Sequence, residues 1–466
     1  MTQNTTNSRD NQVKKQAEFL VITPNAAGID IGAREMWVCV PPDRCENNIR
    51  KFLTFTEDLQ AIAAWLRSCS ITSVAMESTG VYWIPLFQLL ETSGFKVVLA
   101  NAREVKRAPC RPKTDRLDCQ WLQRLHACGL IEASFRPDDR TCRVRALLRH
   151  RENLIRNNSV AIRRMQQALE QMNIKLTEVI SDIVGVTGLK ILDAILAGER
   201  NLDRLADLKH VRVKASRETI KKALRGDYRP EHLFVLKQNR ASYHFGLEQI
   251  LACEQEIETY LQAQVPPAAV VPTATNQPQF TFVGMGHTPK RSVHDPDFDA
   301  RSYLLQIAKV DLLDVPGISG STALNLLYEI GTDMSRWPTD KHFVSWLNAC
   351  PNLKKTGGKV KGTQRKSPNR AAKILRMAAA SLHHSKSYLG AFFQRIQARQ
   401  GFPCAAHATS RKLATIVYHM LKQQVPYREL GADYYQQHYK EKLIKKLHKQ
   451  AEQFGFSLVA NATAPA

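Results

Sequence analysis

The sequence contains no apolar run of about 18 residues or more, the length a helix needs to cross a bilayer. Its start, MTQNTTNSRDNQVKKQ, lacks the apolar segment of a secretory signal. No CxxC pair occurs among the ten cysteines, at 39, 45, 69, 110, 119, 128, 142, 253, 350 and 404. This argues against a zinc ribbon and for reduced cytosolic thiols. Acids are scarce: 43 stand against 66 lysines and arginines, a formal charge of +23. They vanish between Asp340 and Glu429, where the 88 residues 341–428 carry 17 Lys and Arg and no acid. A solvated face mixes signs, so a one-signed stretch of this length points to a polyanion, most simply nucleic acid. A membrane surface, the other partner of basic chains, finds no apolar span to support it.

Apolar residues make up 44% of the 466, enough for more than one core, and the length suggests about two or three domains. Residues 1–25 read as a disordered arm. Over 26–135, strand-like and helix-like segments alternate: AAGIDIG (26–32), EMWVCVPP (35–42), KFLTFT (51–56), a helix over 57–69, SVAMEST (73–79), a helix over 82–93, FKVVLAN (95–101), and a helix from about Thr114 to Cys128. The order β-β-β-α-β-α-β-α, three antiparallel strands and then parallel additions, is that of a ribonuclease H-like fold. A doubly wound nucleotide-binding fold would start βαβ, and no Gly-rich phosphate loop follows the first strand.

The next region, 140–264, is helical. Val144, Leu148, Arg151, Ile155, Asn158, Ile162, Met165, Leu169, Met172 and Leu176 alternate four and three apart, a long heptad seam. A second seam runs Leu236, Tyr243, Leu247, Ile250, Ile257 and Leu261. The pair reads as an antiparallel coiled-coil arm or a dimer interface; two helices of an ordinary bundle is the alternative. Residues 265–300 begin with the Pro- and Ala-rich VPPAAVVPTATNQPQ and read as a linker. A helical domain over 301–440 and a terminal helix with a disordered tail (441–466) complete the chain.

Four acids stand where a polynucleotidyl-transfer site needs them. Asp30 lies in the first strand, on the face opposite Ile29 and Ile31. Glu77 closes the strand 73–79. Asp115 and Asp118 open the last helix of the domain on one face. Singly, each has an ordinary reading, and Asp115 could simply cap its helix. Jointly, they offer hard oxygen ligands for one or two magnesium ions, which in a two-metal site stand about 4 Å apart. Lys113, Arg116 and Arg124 surround the helix start and suit a phosphate backbone. Tyr82 and Trp83, just after MESTG, read as packing residues.

In the C-terminal domain, LLDVPGISGSTALNLLYEIG (312–331) resembles a helix-hairpin-helix. Its Gly317 and Gly320 could bring backbone N–H groups to a phosphate. The densest basic segment, 353–376, supplies Lys354, Lys355, Lys359, Lys361, Arg365, Lys366 and Arg370 on a glycine-containing loop.

GIDIG, MESTGVYW, NAREVKR and RPKTDRLDCQWLQRL resemble the DEDD-type transposases of bacterial insertion sequences, the family numbered 110 and its subgroup numbered 1111. The middle segments 187–208 and 224–238 resemble the subgroup too, and the likeness runs from about 26 to 455. It implies a nuclease domain similar to Holliday-junction resolvases, with Asp30, Glu77, Asp115 and Asp118 as the metal-binding acids. It implies a bacterial cytoplasmic enzyme acting on donor and target DNA, guided by a structured non-coding bridge RNA and assembled as a dimer or tetramer. The family's nucleophilic serine, just before Gly-Gly-Lys, is matched here by Thr356. A threonine hydroxyl can attack, but its methyl group crowds the approach, so Thr356 is either a working nucleophile or the mark of an inactive copy. Thr363 and Ser367 are weaker substitutes. Two other readings remain: a junction nuclease that uses water and needs the four acids alone, and a decayed nucleic-acid-binding scaffold.

Overall fold

Alternation in the first strand, β1 (Ala26–Ile31), turns Ile29 and Ile31 to one side and Gly28 and Asp30 to the other. The computed structural model describes residues 20–78, 80–100, 114–265, 294–350, 352–357, 359–363 and 369–459. The chain divides into two units, Met1–Arg136 and Pro137–Ala466.

In the first unit, β1 pairs antiparallel with β2 (Glu35–Cys39), and β2 with β3 (Ile49–Leu53). After α1 (Thr56–Ser68), β4 (Ser73–Glu77) pairs parallel with β1. After α2 (Trp83–Thr92), β5 (Lys96–Ala100) pairs parallel with β4. The sheet order is therefore β3-β2-β1-β4-β5, the mixed α/β order expected from the sequence. One face carries Ile29, Ile31, Met36, Val38, Val74, Met76 and Leu99, covered by Ile62 and Leu66 of α1 and Leu86 and Leu90 of α2. Removing each such side chain from water contributes about 2 kcal/mol. The other face receives α3 (Asp115–Ala127). Residues 22 and 23 are tied to its end, their N–H groups donating to Ala127 O at 2.8 and 2.9 Å.

The second unit is helical. Its two longest helices before residue 300, α4 (Asp139–Gln171) and α9 (Pro230–Gln262), have 33 residues each and lie antiparallel. Asp138 caps α4 by accepting from Thr141 N at 2.9 Å. The heptad seam buries Val144, Leu148, Met165 and Leu169 as expected, but α4 ends at Gln171 and Asn173 turns left-handed at φ +54°. Leu176 therefore lies on a separate short helix, α5 (Leu176–Val179). On the second seam Leu236, Ile257 and Leu261 are buried, whereas Leu247 is 43% exposed. The seam's polar members meet polar partners. Arg151 donates to Glu254 at 2.7 Å, both buried, and Asn158 packs where a Cβ on Gly246 would stand 1.8 Å from its Oδ1. Helices α6 (Val186–Leu196), α7 (Leu202–Asp207) and α8 (Arg217–Leu224) form a core with the neighbouring ends of α4 and α9.

Beyond residue 294 come α10 (Ala300–Ala308), a 3-10 turn at Leu312–Asp314, α11 (Gly320–Ile330) and α12 (Asp340–Trp346). An antiparallel ribbon of β6 (Asn352–Thr356) and β7 (Lys359–Thr363) follows, where the sequence suggested a loop. Helices α13 (Arg370–Ala380), α14 (Tyr388–Gln400), α15 (Phe402–Gln423) and α16 (Gly431–Gln453) complete the unit. Among the described residues no helix is long and apolar enough to cross a membrane. All nine described cysteines are free, and Cys110 lies outside the described residues.

Candidate active site

Glycine at position 28 determines how α3 meets the sheet. A Cβ there would stand 2.2 Å from Gln123 N and 2.4 Å from Cys119 O, so only a bare backbone lets the helix come this close. The helix runs opposite to β1. Its last turns are pinned at the start of the strands: Gln123 Nε2 donates to Ala26 O at 3.2 Å, and His126 Nε2 bonds Ser73 Oγ at 2.7 Å. Burial holds His126 below the ordinary histidine range, with Lys96 adding to it, so the ring is neutral at pH 7. Cys119 sits beneath Gly28 and beside Cys39 and Trp37 of β2. With Gln123 at Ala26 and Cys119 at Gly28, the first turn of α3 arrives at Asp30.

The helix start also resolves a question about Asp115. Thr114, in extended conformation, is the N-cap, its Oγ1 accepting from Leu117 N at 3.3 Å. Asp115 is thus the first helical residue and not the cap, and Asp118 follows on the same face.

Glu77 reaches the same end of the sheet along β4. The parallel register pairs Ile29 with Met76, so Asp30 and Glu77 are the next residues of their strands. Glu77 is only 7% exposed. The Asp30 carboxyl is pushed up to about 6, first by burial, then by the charges of Asp115, Asp118 and Glu77, in that order. Four carboxylates from two strands and one helix therefore share one electrostatic site.

Among the described residues no three His, Cys, Asp or Glu side chains are drawn together tightly enough to grip an ion. The donor set nonetheless suits magnesium: all oxygen and all acidic, with Asp30 raised by burial and then by the charges of the other three. A cation would relieve that repulsion. Lys113 lies outside the described residues, and Arg116 is exposed on α3.

The aromatic pair after MESTG divides. Trp83 packs against the core, edge-on to Phe87, with Nε1 donating to Gly80 O at 3.1 Å. Tyr82 is exposed.

In the second unit, Thr356 is the last residue of β6 and pairs with Lys359 across the turn, where Gly357 takes φ +55°. Lys354 pairs with Lys361, and Lys355 with Val360. Arg365, Lys366 and Ser367 lie outside the described residues. Arg370 donates to Glu152 of α4 at 3.2 Å, an acid it shares with Arg156. Gly317, at φ +88°, packs inward: a Cβ would stand 2.7 Å from Ala378 O. At the start of α11, Ser319 caps Thr322 N, and the Asp295 carboxylate accepts from Ser321 N at 2.7 Å beside Gly320. Backbone donors there already have protein acceptors.

Sequence reasoning missed the residues that position the acids: Gly28, Gln123, His126 and Ser73. A lone glycine inside a strand was the available signal for Gly28. Nothing local marked the other three.

Residues 27–174 match a DEDD-type, IS110-named family model described as a transposase. Residues 311–394 match the model of the transposase IS116/IS110/IS902 family. The search of curated proteins gave no match. The two matched segments contain all four acids, both glycines of the 317–320 turn and the whole β6–β7 ribbon. They support a DNA transposase or recombinase enzyme.

Proposed function

We propose that the protein is the transposase of an insertion sequence, cutting and rejoining DNA strands with Asp30, Glu77, Asp115 and Asp118 and with the hydroxyl of Thr356. The observation that carries this reading is the electrostatic convergence of three acids on Asp30, from elements separated by up to 88 residues. The four acids are the residues that would hold one or two magnesium ions. Magnesium bound there supplies Lewis-acid polarisation of a phosphodiester and neutralises the charge that builds up on its oxygens.

The chain's own groups account for the rest. Neutral His126 and Gln123 hold α3 to the strand starts and keep Asp115 and Asp118 over Asp30. Thr356 Oγ attacks a phosphodiester phosphorus; a new P–O bond forms, the old bridging P–O bond breaks, and the hydroxyl proton passes to the departing oxygen. The lysines of β6 and β7 bind backbone phosphates without reading sequence. Gly317 and Gly320 add to that surface only where a phosphate displaces the Asp295 carboxylate.

The finer assignments follow the subgroup resemblance. The domains are the nuclease domain 26–135, the arm 140–264 and the C-terminal domain 301–440. The partners are donor and target DNA and a structured non-coding RNA. The arm pairs subunits as a coiled coil, its exposed Leu247 and Leu251 on α9 facing a second copy. The test is recombination between donor and target plasmids, with and without RNA from the flanking element. Joined products that need magnesium and RNA support the reading. Hydrolysed ends with no joining, unchanged in Thr356→Ala, would assign the protein to the water-using nucleases.

A further inference from the structure

Three cations from three helices meet in the C-terminal part of the second unit, outside the basic ribbon. The Arg395 guanidinium on α14 lies 4.4 Å from the Tyr439 ring centre and 5.5 Å from that of Phe392. The Lys412 amine on α15 lies 4.4 Å from the same Phe392 ring and 5.0 Å from Tyr388. Lys442, one turn beyond Tyr439 on α16, is exposed. The sequences of α14 and α15 contain no acid. The first acid after these two helices, Glu429, is engaged elsewhere, accepting from Tyr388 N at 2.7 Å, Gly431 N at 2.8 Å and the Tyr427 hydroxyl at 2.8 Å; on α16 itself Glu441 adjoins Lys442 and faces His438 at 3.8 Å.

Cation–π contact explains part of this. Arg395 donates from Nε to the Tyr435 hydroxyl at 2.5 Å and stacks over Tyr439, so it clamps α16 to α14. Tyr435 is the only buried residue of α16. Clamping does not explain Lys412, whose rings both belong to α14, nor the exposed Lys442. The Lys412 amine is held below the ordinary lysine range, first by burial, then by Lys442 and Arg395. Like charges gathered in a half-buried place are costly, and an anion lowers that cost. Past Tyr439, residues 440–450 of α16 are exposed on every side and add Lys440, Lys445, Lys446 and Lys449 against Glu441 alone. The basic surface thus continues outward from the cluster.

We infer that Arg395, Lys412 and Lys442 form a phosphate site for a nucleic-acid backbone, extended by the lysines of α16. It rests on the reading of the protein as a nucleic-acid enzyme and names a second contact surface for that partner. Guanidinium and ammonium groups donate to the non-bridging oxygens of one or two phosphodiesters, and the two half-buried cations both contact the Phe392 ring. The chemistry is shared by DNA and RNA.

The test uses the full chain with two probes, a DNA duplex and a structured RNA hairpin, titrated by fluorescence anisotropy over a series of salt concentrations. Lys412→Met and Lys442→Gln are compared with the parent, and thermal unfolding of Lys442→Gln, an exposed position, controls for loss of fold. Each variant is expected to weaken binding and to lower the slope of log K against log salt, by about 0.9 on the duplex. An effect on the duplex alone assigns the site to DNA, and on the hairpin alone to RNA. A parent that binds, with both variants matching its affinity and slope on both probes, overturns the site and leaves the proposed function standing. A parent that binds neither probe overturns the function and the site together.

Discussion

Gly28 lies so close beneath Gln123 that a β-carbon on the glycine would stand 2.2 Å from the glutamine's backbone nitrogen. That contact sets the height of α3 above the sheet, and with it the position of Asp115 and Asp118 over Asp30.

Gly28→Ala should therefore lift the helix. Overpacking of this kind costs about 1–3 kcal/mol. The expected result is a lower midpoint in urea and loss of DNA strand cleavage, although the variant touches none of the acids. Cleavage at the parent's rate would show that the height of α3 is unimportant.

Asp30→Asn should abolish cleavage and at the same time stabilise the metal-free protein. The sign follows from linkage. With its folded carboxyl near 6 and its unfolded value at 3.8, Asp30 keeps its proton longer in the native state. Its contribution is fully present below about pH 4 and is lost as pH rises toward and through 6. At pH 7.5 the parent should be less stable than Asp30→Asn by about 1–2 kcal/mol, after a discount for solvent screening. The gap should close by pH 4, as read from urea denaturation at the two pH values.

Magnesium should reverse that order. A ligand that binds only the folded state adds about 2.7 kcal/mol at a hundredfold excess over its Kd. Thermal unfolding with and without the ion should show a rise in Tm for the parent and little or none for Asp30→Asn or Asp118→Asn. Equal rises in all three would place the ion elsewhere.

Thr356→Ala should eliminate strand joining while leaving the magnesium-dependent rise in Tm intact, because the residue belongs to a different unit from the acids. Thr356→Ser removes one methyl group and should join at least as fast as the parent, as measured in the plasmid recombination assay. Joining by Thr356→Ser where the parent shows none would mark the threonine as inactivating.

The Arg151–Glu254 pair offers a test of the helical unit. Both side chains are buried, Arg151 also donates to His294 O at 2.9 Å, and Glu254 also accepts from Asp297 N at 2.8 Å. Glu254→Ala leaves a buried guanidinium without its carboxylate, at a cost of about 3–5 kcal/mol. Replacing both residues with apolar ones of similar volume should recover most of the loss in a urea titration.

Much of this was legible in the sequence, because strand and helix periods are local. The alternation in AAGIDIG placed Asp30 opposite Ile29, and the order of segments carried the β3-β2-β1-β4-β5 sheet. The i, i+3 spacing put Asp115 and Asp118 on one helix face. Other features were hidden because they join residues far apart. Gln123 meets Ala26 across 97 residues, and no periodicity reports that contact. Which residue caps α3, Thr114 or Asp115, depended on backbone angles. The partners of the heptad seam's polar members were hidden too: α9 brings Glu254 to Arg151 and Gly246 to Asn158. The sequence by itself determined which side chains could do the chemistry and on which face of its element each would lie. Tertiary structure alone decided which of those faces meet, because the close approach at Gly28 and the parallel register of β1 and β4 are relations between segments, and it is those relations that gather four separate acids into one field.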